Sequence, residues 1–127
     1  MSITTTIAYV LAGALAAAII AIGLRFLVAP RVAAAGYGVS PDVADESVRA
    51  YLSVKGVRDI ATGLFVAILL VNGATHLAGW IMLAAIVIPI ADAVIVLRSG
   101  GAKAIAYGVH VGTAAVMLVT AALLLLA

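Results

Sequence analysis

Cysteine is absent from this 127-residue chain, and charged residues make up only 9% of it. Without cysteine there is no disulfide framework, no thiolate nucleophile and no dithiol redox pair. A soluble domain carries about 25% charged residues, so this chain lacks the polar surface that a water-soluble fold of its length requires. Composition therefore excludes disulfide-stabilised, thiol-dependent and ordinary soluble classes of protein.

A strong charge of either sign is also missing. The net charge is only +2, aromatic residues make up 6% of the chain, and no basic block is interleaved with aromatic residues. We therefore expect no nucleic-acid partner. The histidines, aspartates and glutamates do not have the spacing of a recognised metal motif, so we expect neither a metal nor a cofactor.

Apolar residues are abundant instead. They make up 67% of the chain, and its mean hydropathy is +1.35. A helix needs about 20 apolar residues to cross about 30 Å of hydrocarbon, and four stretches reach or approach that length. These stretches cover residues 3–27, 54–71, 76–97 and 104–127. The expected environment of the chain is therefore a lipid bilayer.

Short turns join the later apolar stretches. Asn72-Gly73 and Ser99-Gly100-Gly101 leave room only for tight turns, so consecutive helices should run antiparallel. The sequence thus predicts an all-α fold in a single domain, a polytopic integral membrane protein built as an antiparallel four-helix transmembrane bundle. Pro89 should kink the third helix and free the carbonyl of Ala85 to face a cavity.

Glycines inside the apolar stretches should let helix backbones approach one another closely. The glycines to which we assign this role are Gly13, Gly23, Gly63, Gly108 and Gly112.

A polar connector, residues 30–53, separates the first two stretches. Pro30 should end the first helix, because proline cannot continue the helical hydrogen-bond ladder. Ser40-Pro41-Asp42 has the order of a helix start, with Ser40 as N-cap and Pro41 at the first helical position. We expect a surface helix that begins there and runs through Tyr51 into the second stretch.

The distribution of cations predicts an orientation. All seven Lys and Arg side chains fall on one side of the predicted bundle, and that side should be cytoplasmic. Both termini should then lie outside the inner membrane. No basic residue precedes Arg25, so we interpret the first stretch as a retained span and not as a secretory signal.

Ionisable side chains from the predicted spans gather at one depth, in the cytoplasmic half. Charges inside a membrane are costly, and they usually face a protein interior and mark a site. The carboxylates and the histidine can exchange protons, and the tyrosine can donate a hydrogen bond to a developing oxyanion. The candidate catalytic residues are Asp59, Asp92, Tyr107 and His110.

Cationic side chains at the same depth are candidates for holding a substrate. Arg25, Arg58 and Lys55 could bind a carboxylate, a phosphate or an enolate. A purely structural role is the alternative, since Arg58 with Asp92 and Lys55 with Asp59 could be ion pairs that fix the helix register.

Several segments resemble a family of small bacterial and fungal four-span membrane proteins of unknown function. The resemblance rests on the KGVRD run of Lys55 to Asp59, on the IPxxDA motif that contains Asp92, and on the YGVH run of Tyr107 to His110. It covers almost the whole chain. It implies a four-span fold and carries no activity with it.

Three functions remain open at this point. The one that the polar layer favours is a cytoplasm-facing intramembrane pocket that binds a lipophilic small molecule and could transform it by acid–base chemistry. The second is a proton-coupled small-molecule transporter that acts as a dimer. The third is a structural subunit of a membrane complex. The oligomeric state is open too, and a homo-oligomer is compatible with the small-residue faces of the first and last spans.

The predicted orientation can be tested in a chain without native cysteine. A Ser2→Cys variant should react with a membrane-impermeant maleimide added to the outside of intact cells. A cysteine at Ser99, in the third connector, should react only after the membrane is opened. Labelling of position 2 from the cytoplasmic side alone would contradict the orientation.

Overall fold

The structure, a computed structural model, describes residues 1–127 and contains helices and turns but no β-strand. Three helical segments are long and apolar enough to cross a membrane, and they indicate a membrane protein. These segments are Ile3–Val28, Thr75–Arg98 and Lys103–Leu126.

The helices follow one another closely along the chain. In order they are α1 (Ile3–Val28), α2 (Pro30–Tyr37), α3 (Glu46–Val71), α4 (Thr75–Ala85), α5 (Val87–Arg98), α6 (Lys103–Ile105), a π-helical segment (Ala106–Val111) and α7 (Gly112–Leu126).

Helix α3 differs from the three apolar segments in its charge. At 26 residues it is long enough to cross a bilayer. Its middle, however, carries three charged residues within five positions, namely Lys55, Arg58 and Asp59. The same residues that suggest a site thus set this helix apart from the others.

Pro30 ends α1 as expected, but it also begins a second helix. Helix α1 stops at Val28, and Pro30 occupies the first turn of α2. Proline costs little there, because a first-turn N–H has no partner within the helix. Helix α2 ends at Tyr37, where Gly38 takes a left-handed conformation with φ of 112° and donates its N–H to the carbonyl of Ala34.

The predicted start of the next helix at Ser40 was wrong. Helix α3 begins at Glu46, and its N-cap is Asp45, which accepts the backbone N–H of Ser47 at 2.8 Å. The hydrogen bonds from Ser47 also lower the pKa of Asp45. Asp42 instead accepts the N–H of Ala44 at 3.0 Å, and this local turn competes with helix formation over the preceding residues.

The predicted continuity of the connector's last residues with the second apolar stretch in one helix is confirmed, because α3 runs without a break from Glu46 to Val71. The predicted turns are confirmed as well, since Gly73 and Gly100 adopt positive φ. The interruption near Pro89 is also confirmed. It separates α4 from α5 at Ile86, whose N–H bonds to the carbonyl of Leu83.

Glycines bring α1 and α3 into backbone contact. A Cβ atom on Gly23 would lie 2.5 Å from the carbonyl oxygen of Gly56, and one on Gly63 would lie 2.7 Å from the carbonyl oxygen of Ala16. The predicted packing role is therefore confirmed for Gly23 and Gly63, and Gly56, which was not predicted, has the same role.

The packing role was wrong for the other three glycines. No atom lies within 4 Å of a Cβ built on Gly13 or Gly108, and the nearest atom to one on Gly112 is 3.9 Å away. A small residue lets helices approach only where it faces a neighbouring helix, and composition alone does not indicate which way a residue faces.

Helix α1 lies between the other long helices. It packs against α3 on one side and against α7 on another, while α4 packs on α7 and α5 packs on the π-helical segment. Small buried residues on α1, such as Ala8 and Ala12, allow this close assembly. Helix α3 has no extensive contact with α5 or with the π-helical segment. The space between them forms the site described below.

Replacing Gly23 with alanine should destabilise the fold by about 1–3 kcal/mol, because the new methyl group overlaps the backbone of α3. Gly13→Ala on the same helix is the matched control. It should be neutral or slightly stabilising, since its methyl group meets open space and alanine favours helix. Thermal unfolding in detergent micelles, followed by circular dichroism, gives the comparison. Equal melting temperatures for the two variants would contradict the packing described for α1 and α3.

Candidate functional site

A cavity of about 260 Å³ occupies the space between α3 on one side and α5 with the π-helical segment on the other. Helix α1 forms its base, and α2 covers one end. The far end is apolar and is lined by Leu15, Val66, Met82 and Met117. The end beneath α2 carries the ionisable side chains. The cavity is therefore amphipathic along its length.

Most of the candidate site residues meet in this cavity. Arg25, Lys55, Asp59, Asp92 and His110 all line it. They come from α1, α3, α5 and the π-helical segment. The structure thus brings together side chains that are distant in sequence.

Lys55 and Asp59 form an ion pair one helical turn apart on α3. Lys55 Nζ lies 2.8 Å from Asp59 Oδ2, and this is the only salt bridge in the structure. The ammonium group also lies 4.5 Å from the centre of the Phe26 ring and 5.0 Å from that of Tyr37. These contacts partly replace the water that the cation loses. The pair predicted as a structural alternative is therefore present and lies in the cavity wall.

Tyr37, which was not among the predicted site residues, connects the polar groups. Its hydroxyl donates to Asp92 Oδ1 at 2.8 Å. Its backbone carbonyl lies 2.7 Å from His110 Nε2, and the two rings are tilted by 60° with centroids 4.7 Å apart. With the Lys55 ammonium over the same ring, one residue of the connector contacts three ionisable groups from three helices.

The end of α2 places Tyr37 over the cavity. Tyr37 is the last residue of the helix, and the left-handed Gly38 turns the chain away directly after it. A Cβ atom on Gly38 would lie 2.9 Å from the side chain of Val96 on α5, so the turn at Gly38 packs closely against that helix. In sequence, the only signal is a single aromatic residue between Gly36 and Gly38 in a run of alanine and glycine.

His110 is 7% exposed and has its two ring nitrogens in different environments. Because the Tyr37 carbonyl can only accept, Nε2 must carry the proton in that hydrogen bond. In the neutral ring, Nδ1 is then an unprotonated acceptor. The bond to the connector thus selects the tautomer that is suited to accept a proton at Nδ1.

Tyr107 and Arg58 do not join the cavity. Tyr107 is 58% exposed although it lies three residues before His110. In an α-helix these two residues would share a face, but the wider turn of the π-helical segment, Ala106–Val111, rotates them apart. The prediction that Tyr107 and His110 lie together was therefore wrong, because it assumed regular helical spacing.

Arg58 is exposed on the outside of α3, and its guanidinium approaches only the carbonyl of Val54, at 3.5 Å. The predicted alternative of an Arg58–Asp92 ion pair was wrong, since Asp92 is bound by the Tyr37 hydroxyl. Arg58 lies one residue before Asp59, on a different face of the helix from the cavity wall.

Burial, and next the hydrogen bond to Asp92, raise the pKa of the Tyr37 phenol well above its usual range. The phenol therefore stays protonated at physiological pH and remains a donor to Asp92. The Asp92 carboxyl oxygen is the acceptor in this bond.

Three acceptor atoms remain open at the polar end. Asp59 uses Oδ2, Asp92 uses Oδ1 and His110 uses Nε2 in the bonds described above. No buried side-chain nitrogen or oxygen in the structure lacks a partner. The second oxygen of each carboxylate and Nδ1 of His110 are therefore accessible, and the residues that carry them line the cavity. No group of three or more His, Asp or Glu side chains is arranged to hold a metal ion.

Comparison with known proteins places the chain in a family. Residues 16–124 match the family described as "Domain of unknown function (DUF4267)", and the chain belongs to that family. The match includes every residue that lines the polar end of the cavity. No curated protein and no solved structure matches the chain.

A Tyr37→Phe variant should lose about 1 kcal/mol of stability at neutral pH, because Asp92 loses its donor. The deficit should shrink as pH rises above about 10. There the unfolded wild-type chain releases the phenol proton while the folded protein still retains it, so wild-type stability falls. Unfolding midpoints at neutral and alkaline pH measure the effect.

The matched control for this measurement is Tyr107→Phe, which removes a hydroxyl from an exposed tyrosine. Its stability difference from wild type should be small at neutral pH. A Tyr37→Phe deficit that is independent of pH would contradict the assignment of the buried, hydrogen-bonded phenol.

Proposed function

We propose that this protein is an antiparallel four-helix transmembrane bundle whose cavity binds a lipophilic small molecule from the bilayer or the cytoplasm. In this arrangement α3 is the fourth span, beside the three apolar segments. Its charged residues would lie toward the cytoplasmic surface or face the cavity. The cations lie on one side of such a bundle, which supports an inner-membrane protein with both termini outside.

The amphipathic cavity is the observation that carries the proposal. Its apolar end suits a hydrocarbon portion, while its polar end offers Asp59, Asp92 and His110 to a head group. Known ligand sites have this composition, with mostly apolar walls and a few convergent polar groups. Ionisable residues inside a membrane domain are costly to keep, which supports a role for them beyond packing.

Acid–base chemistry on the bound molecule is the activity for which the polar end is best equipped. The tautomer fixed by Tyr37 leaves Nδ1 of His110 as a proton acceptor. Asp59 is 9% exposed and offers its free oxygen at the same end of the cavity. A proton transfer or an isomerisation of a lipophilic substrate would use these groups, with Lys55 stabilising the negative charge that develops.

The gap between α3 and α5 gives this molecule a route of entry. Ile88 and Val109 line the cavity and are also exposed on the surface. In a bilayer, such apolar residues would face lipid, so a lipophilic molecule could reach the cavity without crossing water.

Filling the cavity should abolish ligand binding. Thr62 lines it from α3, and its hydroxyl bonds only to the carbonyl of Arg58 in its own helix, so Thr62→Phe removes space at little cost to packing. Leu64→Phe, on the exposed side of the same helix, is the matched control. Mass spectrometry of extracts from the purified proteins should find a lipophilic molecule with wild type and Leu64→Phe, and much less of it with Thr62→Phe.

The polar end is tested in the same experiment with Asp59→Asn and His110→Ala. Both variants should retain less of the molecule than wild type does. Retention at wild-type levels by these two variants and by Thr62→Phe would remove the cavity as the site.

A further inference from the structure

The polar end of the cavity contains a carboxylate without a cationic partner. Lys55 neutralises Asp59 through the only salt bridge in the structure. Asp92 is bound by the Tyr37 hydroxyl alone, and a phenol contributes a hydrogen bond but no positive charge. Arg25 lines the cavity from α1 and Arg58 is exposed outside it, and neither forms an ion pair or a hydrogen bond with Asp92.

This imbalance has a cost that a ligand could offset. In a low-dielectric environment, a cation beside a carboxylate offsets part of the cost of removing its negative charge from water. Tyr37 holds Oδ1 of Asp92, while Oδ2 is accessible from the cavity. A positively charged group placed at Oδ2 would complete the ion pair that the protein itself leaves incomplete.

Other polar atoms at this end of the cavity also lack hydrogen-bond donors. The carboxylate and imidazole atoms that remain open at this end of the cavity are acceptors, namely Asp92 Oδ2, Asp59 Oδ1 and His110 Nδ1 in its neutral tautomer. Arg25, from α1, is the cationic donor that lines the same cavity without a hydrogen bond to any of them. A carboxylate or phosphate head group brings only acceptors and negative charge to this end. A protonated amine brings both the charge and several N–H donors.

We propose, on the basis of the function argued above, that the molecule bound in this cavity is a lipophilic amine whose ammonium group pairs with Asp92. The cavity volume of about 260 Å³ limits its size. Pockets for drug-sized ligands span about 300–1,000 Å³, so a medium-length hydrocarbon chain fits and a whole phospholipid does not.

Four probes with the same hydrocarbon chain separate charge from hydrogen bonding. Octylamine has a positive charge and N–H donors, whereas octyltrimethylammonium has the charge but no N–H donor. Octanol has a neutral donor, and octanoate has a negative charge. Their binding to the protein in zwitterionic lipid nanodiscs is measured by titration calorimetry at neutral pH. The heat of partition into empty nanodiscs is subtracted.

Octylamine should bind the wild-type protein about tenfold or more tightly than octanol does, as expected for a charge-assisted hydrogen bond. Asp92→Asn should remove that preference and leave octanol binding unchanged. Glu46→Gln is the matched control, because it removes a negative charge at the exposed start of α3, outside the cavity. It should leave the preference intact.

Each alternative ranking has a distinct meaning. If octanol or octanoate binds wild type as tightly as octylamine, and Thr62→Phe removes that binding, the amine assignment is overturned while the cavity function stands. If octyltrimethylammonium matches octylamine, the requirement for N–H donors is overturned. If no probe binds wild type better than Thr62→Phe, the cavity function itself fails. The ranking on wild type decides these outcomes even if Asp92→Asn does not fold.

Discussion

A carboxylate that lies among apolar helices is stable only where donors or cations surround it, and this constraint organises the polar half of the protein. Asp59 meets it within its own helix through Lys55. Asp92 meets it with one hydrogen bond and no cation, through the hydroxyl of Tyr37, which belongs to the connector that follows α1. The connector must therefore fold back over the cavity, and the αL turn at Gly38 and the short helix α2 provide that path. The same residue, Tyr37, thus donates the hydrogen bond to Asp92 and covers one end of the cavity.

The tight packing of α1 on α3 creates the space as well as the stability. At Gly23 and Gly63 the backbones of α1 and α3 are in contact. Helix α7 packs against another side of α1, and α4 packs against α7. The two groups of helices share α1 but have little contact with each other beneath α2. Packing that is close on one side thus leaves a cleft on the other, and the ionisable residues of both groups line it.

Local patterns in the sequence predicted the helical class, the turns at Gly73 and Gly100, the break near Pro89 and the gathering of Asp59, Asp92 and His110. These features depend on residue type and on short-range spacing. The N-cap at Asp45 was missed because Ser40 and Asp42, a few residues earlier, are also residue types that cap helices. Tyr37 was missed because its partners are 55 and 73 residues away, and no local spacing encodes such a contact. Tyr107 was misplaced because periodicity assumes a uniform helix, which the π-helical segment is not.

That segment amounts to an extra residue within an otherwise regular helix. Each residue of an α-helix advances the side-chain direction by about 100°. Deleting a single residue between Ala106 and Val111 would therefore allow a regular α-helix to form there. The residues before the deletion would then be rotated about the helix axis relative to the residues after it. The part that packs on α5 and the part that packs on α1 and α4 could then no longer both keep their neighbours. Length within this turn, more than the identity of its apolar residues, fixes the orientation of His110.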